Sequence, residues 1–143
     1  MPQSEAVQTG WPTQPFVLVG TVEHGDQRGR QLGFATANLS LQRDPDTPPE
    51  GVYAGVAITA DGRAHRAAVS VGRRPTFYEE GFELLEAHLL DFSDDIYDQV
   101  LEVRLHKRIR GQVRFEGIDA LIKQLRADVA RTRKLIGDDL LVP

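Results

Sequence analysis

The segment from His24 to Asn38, HGDQRGRQLGFATAN, gathers residue types that hold an anion. Glycines at 25, 29 and 33 let backbone N–H groups approach a ligand closely, and Arg28 and Arg30 add positive charge suited to phosphate. No Gly-Lys-Ser/Thr follows, so this is not the P-loop arrangement, nor is it the dinucleotide-binding glycine fingerprint. A solvent-exposed hairpin loop has the same composition. Thr36 and Asn38 lie two apart, which puts both side chains on one face of an extended segment. A hydroxyl and an amide carbonyl are hard, neutral oxygen ligands, suited to a Mg²⁺ whose charge is balanced by nucleotide phosphates. A Thr and an Asn after a strand also make local turns or caps.

Glu86 and His88 share a strand face with Leu84 and Leu90, so a carboxylate stands among apolar neighbours. Such a group is a candidate general base, because its charge is held in place and partly desolvated. An edge-strand Glu facing water is the alternative. The histidines at 24, 65, 88 and 106 lack a zinc-ligand spacing and read as structural or surface groups. Lys107, Arg108, Arg110 and Arg114 form a basic run that suits a solvated face, although one Arg can stack on a planar aromatic ligand.

These residues need a scaffold, and 143 residues suit one domain of ordinary size. Zero cysteines exclude a disulfide framework, a thiolate zinc site and a cysteine nucleophile. A net charge of −4 disfavours a general nucleic-acid binder. No apolar run approaches the ~20 residues that cross a bilayer, and no signal-peptide pattern opens the chain, so a cytoplasmic location without membrane contact is expected.

Residues 1–15 read as a flexible leader, and 138–143 as a short tail. Between them, 16–137 reads as a barrel plus a helix. Short strands are expected at Phe16–Val22, Val52–Thr59, Ala64–Val71, Leu84–Asp91 and Val100–His106. Asp61-Gly62 predicts a type I′ hairpin turn. Leu101, Val103 and Leu105 point one way while Glu102, Arg104 and His106 point the other, as in a strand with one wet face. Ile118, Leu121, Ile122, Leu125, Val129 and Ile136 recur at helical spacing, with Gly117 at the N-cap and Gly137 past the end. Many strands and one terminal helix predict a small antiparallel barrel with the helix packed outside it or over one opening.

Taken in order, GTVEHGDQRGRQLGFATAN, PPEGVYAG, SVGRRPTF, LEAHLLDFSDDIYDQ and IRGQVRFEGIDALIKQL, with Asp128 after them, resemble the riboflavin kinase family over about Phe16 to Ile136. The likeness extends to the C-terminal kinase module of bacterial bifunctional riboflavin kinase/FAD synthetases. It implies a mainly β fold, a six-stranded antiparallel Greek-key barrel with a C-terminal amphipathic helix. It implies transfer of the γ-phosphoryl of MgATP to the 5′-hydroxyl of riboflavin, giving FMN and ADP. A separate FAD synthetase would act on the product. By the same resemblance Gly25 and Arg30 belong to a loop over the nucleotide, and Thr36 and Asn38 bind metal and nucleotide. Glu86 is the catalytic carboxylate, Arg110 and Phe115 contact the flavin, and the metal is Mg²⁺ with Zn²⁺ as the other candidate. Three positions depart from the family pattern: Ala35 replaces Pro, Gln112 replaces Glu, and Ser70 stands where Asn is frequent. A flavin- or nucleotide-binding module of the same fold with little kinase activity is the alternative reading, and a barrel that only binds other proteins is a third.

Overall fold

The computed structural model describes residues 15–24, 33–42, 47–73 and 82–143. The leader expected at 1–15 lies outside them except for Pro15, as do Gly25 and Arg30. Six strands form: β1 (Phe16–Thr21), β2 (Ala37–Gln42), β3 (Gly51–Ile58), β4 (Ala64–Arg73), β5 (Phe82–Leu89) and β6 (Val100–Arg110). Helix α1 (Ile118–Leu135) and a 3₁₀ turn at Asp138–Leu140 complete the chain. All pairings are antiparallel, in the order β1-β6-β3-β4-β5-β2. Strands β3, β4 and β5 are sequential neighbours while β6 returns beside β3, which is a Greek key. The sheet curls until β1 and β2 approach, and a bridge between Glu23 and Asn38 nearly closes the barrel.

Side-chain alternation fills the barrel. Tyr53, Val69, Leu85, Val103 and Leu105 point inward and are fully buried, while the residues between them face outward. Strand β3 is buried almost throughout because both of its faces are covered. Its inner face joins the barrel core, and Ala54 and Val56 on the outer face pack against Ile136, Leu135, Leu140 and Leu141. The last residues are therefore part of the fold. Arg66 donates through Nε to the Ile136 carbonyl (2.7 Å) and pairs with Asp138, and Arg104 donates to the Val142 carbonyl (2.7 Å).

The β3–β4 hairpin differs in turn type from the expectation. Thr59 N–H donates to the Arg63 carbonyl and Gly62 N–H to the Thr59 carbonyl, and in this turn only Gly62 has positive φ, +85°. This is a three-residue loop, a type I turn followed by a left-handed glycine. Asp61 selects it by accepting from the Thr59 hydroxyl (2.5 Å) and the Arg63 amide (3.1 Å), bonds that hold a local turn.

Gly55 sits where the β3–β6 register shifts. A Cβ there would lie 2.2 Å from the backbone oxygen of Arg104. Replacing Gly55 with Ala is expected to cost about 3 kcal/mol, read as a lower urea midpoint with an unchanged m-value.

Candidate functional site

The outward faces of β4 and β5 carry the chemistry. Ala68 and Ser70 on β4 pair with His88 and Glu86 on β5, and Glu86 pairs in turn with Asn38 on β2. Opposed residues of an antiparallel ladder project to the same side. The outer surface therefore presents one polar row, Ser70, Glu86 and Asn38, beside His88.

Helix α1 covers this row without closing on it. Its buried positions are polar, Asp128 and Thr132, whereas Leu121, Leu125 and Val129 face a cavity of about 300 Å³. The expected apolar stripe exists, yet half of it lines this cavity, and Ile118 at its start is exposed. An amphipathic helix that leaves its stripe uncovered beside a polar row builds a site with an apolar wall and convergent polar groups. Ser70, Glu86, Arg110, Gln112 and Phe115 are among the other residues of its lining.

Two interactions hold the helix and its preceding strap in place. Arg110 forks onto Asp128, with Nε to Oδ1 at 2.9 Å and Nη2 to Oδ2 at 2.7 Å, and Gln124 donates to the same carboxylate (3.0 Å). The Asp128 side chain is only 3% exposed, so its charge depends on this bidentate partner. The guanidinium also lies 5.9 Å from the Phe115 ring centre. Gln112 donates to the Ser70 hydroxyl (2.8 Å) and the Val71 carbonyl (3.0 Å). A carboxylate at position 112 would meet that carbonyl as a second acceptor, so the amide suits the hydroxyl at Ser70. Further along the helix, Arg133 pairs with Asp91 and holds its carboxyl below the usual range.

A second cavity, about 310 Å³, opens on the other side of the β2–β5 pair, lined by Val22, Ala35, Phe92, Asp94, Ile96 and Tyr97 among others. At its rim His24 stacks on Tyr97 with ring centres 4.3 Å apart and pairs with Asp98 (3.1 Å). Thr36 and His88 line both cavities. The Thr36 hydroxyl lies 3.1 Å from Asn38 Oδ1. Adjacent vertices of an octahedron with metal–oxygen distances of 2.0–2.1 Å are about 2.9 Å apart, so this oxygen pair fits two positions around Mg²⁺. The barrel seam places it: Glu23 N–H donates to the Asn38 carbonyl (2.8 Å), fixing β2 at this residue. Among the described residues no group of three or more His, Asp or Glu side chains gathers as a metal cluster.

The expected site residues thus fall into one region. Thr36, Asn38, Glu86, Arg110 and Phe115 meet at or beside the two cavities, while Gly25 and Arg30 lie outside the described residues. Thr132 gives no sequence signal and Asp128 enters only through the resemblance, because a polar residue on a helix reads as solvated until its partner is known. Asp128 is 18 residues from Arg110. Leu121, Leu125 and Val129 were visible as a stripe, but not as a cavity wall.

The fold and site define a Greek-key barrel whose outer face and terminal helix enclose one cavity that meets another at Thr36 and His88. A family model described as riboflavin kinase matches residues 12–136, and the chain belongs to that family. It is 42% identical over 122 residues to the bifunctional riboflavin kinase/FMN adenylyltransferase of Pseudomonas fluorescens, covering 85% of this chain and 39% of that one. The Bacillus subtilis protein of the same description is 39% identical over 117 residues, 80% and 37% of the two chains. The chain therefore spans about two fifths of the length of these curated relatives. A riboflavin kinase from Trypanosoma brucei superposes with a TM-score of 0.64 at 29% identity, covering 89% of this chain and 83% of that one. A Streptococcus pneumoniae crystal structure described as a macrolide-efflux protein superposes at 0.76 with 36% identity, over 85% and 40%. No helix among the described residues is long and apolar enough to cross a membrane.

Removing the Asp128 carboxylate strands Arg110. Asp128→Ala should lower stability by about 3–5 kcal/mol, and Arg110→Met with Asp128→Leu should lose markedly less, because no charge is left without its partner. Urea unfolding of the three proteins reads this difference.

Proposed function

We propose that the chain transfers the γ-phosphoryl group of ATP to the 5′-hydroxyl of riboflavin, giving FMN and ADP. The observation that carries this reading is the junction of the two cavities at Thr36, with Glu86 on one side and the Thr36–Asn38 oxygen pair between. An in-line transfer needs such a junction: a donor pocket, an acceptor pocket, and one boundary where the reacting atoms meet. Family membership supports the assignment of the pockets.

The tricyclic flavin ring fits between Leu121, Leu125 and Val129 of the helix and Val52 and Ala68 of the sheet, with Phe115 and the planar Arg110 group at its end. Its ribityl chain then runs along the polar row toward Glu86. The nucleotide occupies the cavity bounded by Phe92, Ile96 and Tyr97, and Gly25 and Arg30 belong to the loop over its phosphates. Phosphoryl transfer passes through a loose, highly charged transition state, so alignment and charge neutralisation dominate catalysis. Glu86 orients the hydroxyl and accepts its proton as the new O–P bond forms. The bond to the β–γ bridging oxygen breaks, and its electron pair leaves with ADP. Thr36 and Asn38 would hold a divalent cation, Mg²⁺ with Zn²⁺ as the alternative, which when bound neutralises phosphate oxygens. Residues 16–137 form the working unit, in the cytoplasm where ATP is available. An FAD-forming adenylyltransferase activity is the consumer of the FMN.

Chromatography of riboflavin incubated with ATP and Mg²⁺ tests this directly. The wild-type chain should form FMN, and Glu86→Gln should form it about 10²–10⁴-fold more slowly while still binding flavin and ADP. A wild-type chain that makes no FMN with either Mg²⁺ or Zn²⁺ sinks the reading.

A further inference from the structure

Residues 34–36 precede β2 and lie outside its ladder, following Gly33 with its φ of +88°. They are nonetheless part of the wall between the cavities: Phe34 lines the helix side, Ala35 the opposite one, and Thr36 both. A short segment outside a ladder needs tethers from the side. His88 supplies two, since its Nδ1 lies 2.9 Å from the Ala35 carbonyl and its ring centre 5.5 Å from that of Phe34. A carbonyl only accepts, so Nδ1 carries the proton and the donor is His88.

We propose that His88 is a positioning residue that sets Thr36 for its cation, an inference that rests on the proposed site. The Ala35 carbonyl and the Thr36 N–H belong to one planar trans peptide. Fixing the carbonyl on His88 therefore fixes that plane and the starting direction of the Thr36 side chain. The Thr36 hydroxyl is then presented to Asn38 Oδ1 at 3.1 Å instead of sampling the rotations open to a free loop. Ala35 makes the tether matter, because its own φ is unrestrained. Strand geometry makes it available: His88 is two residues from Glu86 on the same face, so the ladder that places the carboxylate also places the imidazole. Hydrogen-bonded partners behind metal ligands influence affinity by about 10–100-fold.

Three substitutions separate positioning from mere packing. The amide nitrogen of Asn superposes on Nδ1 of His, and that of Gln on Nε2. Titration of the full chain with ADP and Mg²⁺ should show His88→Ala and His88→Gln binding about 10–100-fold more weakly, with His88→Asn within about threefold of wild type. With ADP and EDTA the four proteins should bind alike, because the effect runs through the cation. If His88→Ala does not fold, the Asn–Gln pair still decides. Equal Mg²⁺-dependent binding by Asn and Gln variants overturns the proposal, as does an equal loss in EDTA. A wild-type chain that binds ADP with Mg²⁺ but forms no FMN defeats the kinase reading alone.

Discussion

The structure depends on one buried ion pair. Asp128 faces the barrel from the middle of α1, where a carboxylate without a partner is costly, and Arg110 reaches it from the end of β6. The fork fixes both the distance and the rotation of the helix. With Asp128 held down, Thr132 and Ile136 follow onto β3, one helical turn apart. Leu121, Leu125 and Val129 are held over the strands without meeting them. A fully apolar contact line would have let the helix collapse onto the sheet, since apolar packing favours closure wherever the surfaces allow it. The polar contact thus keeps an apolar cavity open.

The division of faces explains why the barrel interior contributes little chemistry. Inward positions are filled by Tyr53, Leu39, Leu85, Val103 and their neighbours, so ligand space meets the core only at the second cavity, beside Ala37, Ala87 and Leu89. The working groups stand outside, at Ser70, Glu86, His88 and Asn38, on strands whose pleat dictates their direction. The near-closure at Glu23 and Asn38 puts one of these groups on the seam, where the ladder between β1 and β2 is a single bridge. The strap that follows β6 is pinned by Gln112 to Ser70 and Val71. The two departures from the family pattern there, Ser70 and Gln112, meet as a hydroxyl acceptor and an amide donor. Their compatibility is a reason to consider them together.

Much of this was legible beforehand because it rests on local periodicity. Alternation along Leu101 to His106 matched the pleat of β6, and the spacing from Ile118 to Ile136 matched α1, since both arise from backbone geometry within one element. Asp61-Gly62 predicts a hairpin, and the hairpin forms with a turn of another type. Its choice was made by the Asp61 side chain, which competes with the backbone for Thr59 and Arg63. Nothing local distinguishes His88 from the other histidines, because no ligand spacing marks it and its partner lies 53 residues away. Asp128 was part of a motif but gave no physical signal of its own.

By itself the sequence determined the elements and their wet and dry faces, because side-chain periods of two and 3.6 residues are properties of the chain and need no partner. It also placed Thr36 with Asn38, and Glu86 with His88, on shared faces of extended segments. Only the tertiary structure decided that β2 leaves β3 to pair with β5, which brings those two short patterns side by side. It alone decided that the helix stripe faces a cavity and that Arg110 is committed to Asp128. Contacts between distant segments depend on loop closure and on competition among partners across the whole molecule, which local periodicity does not contain.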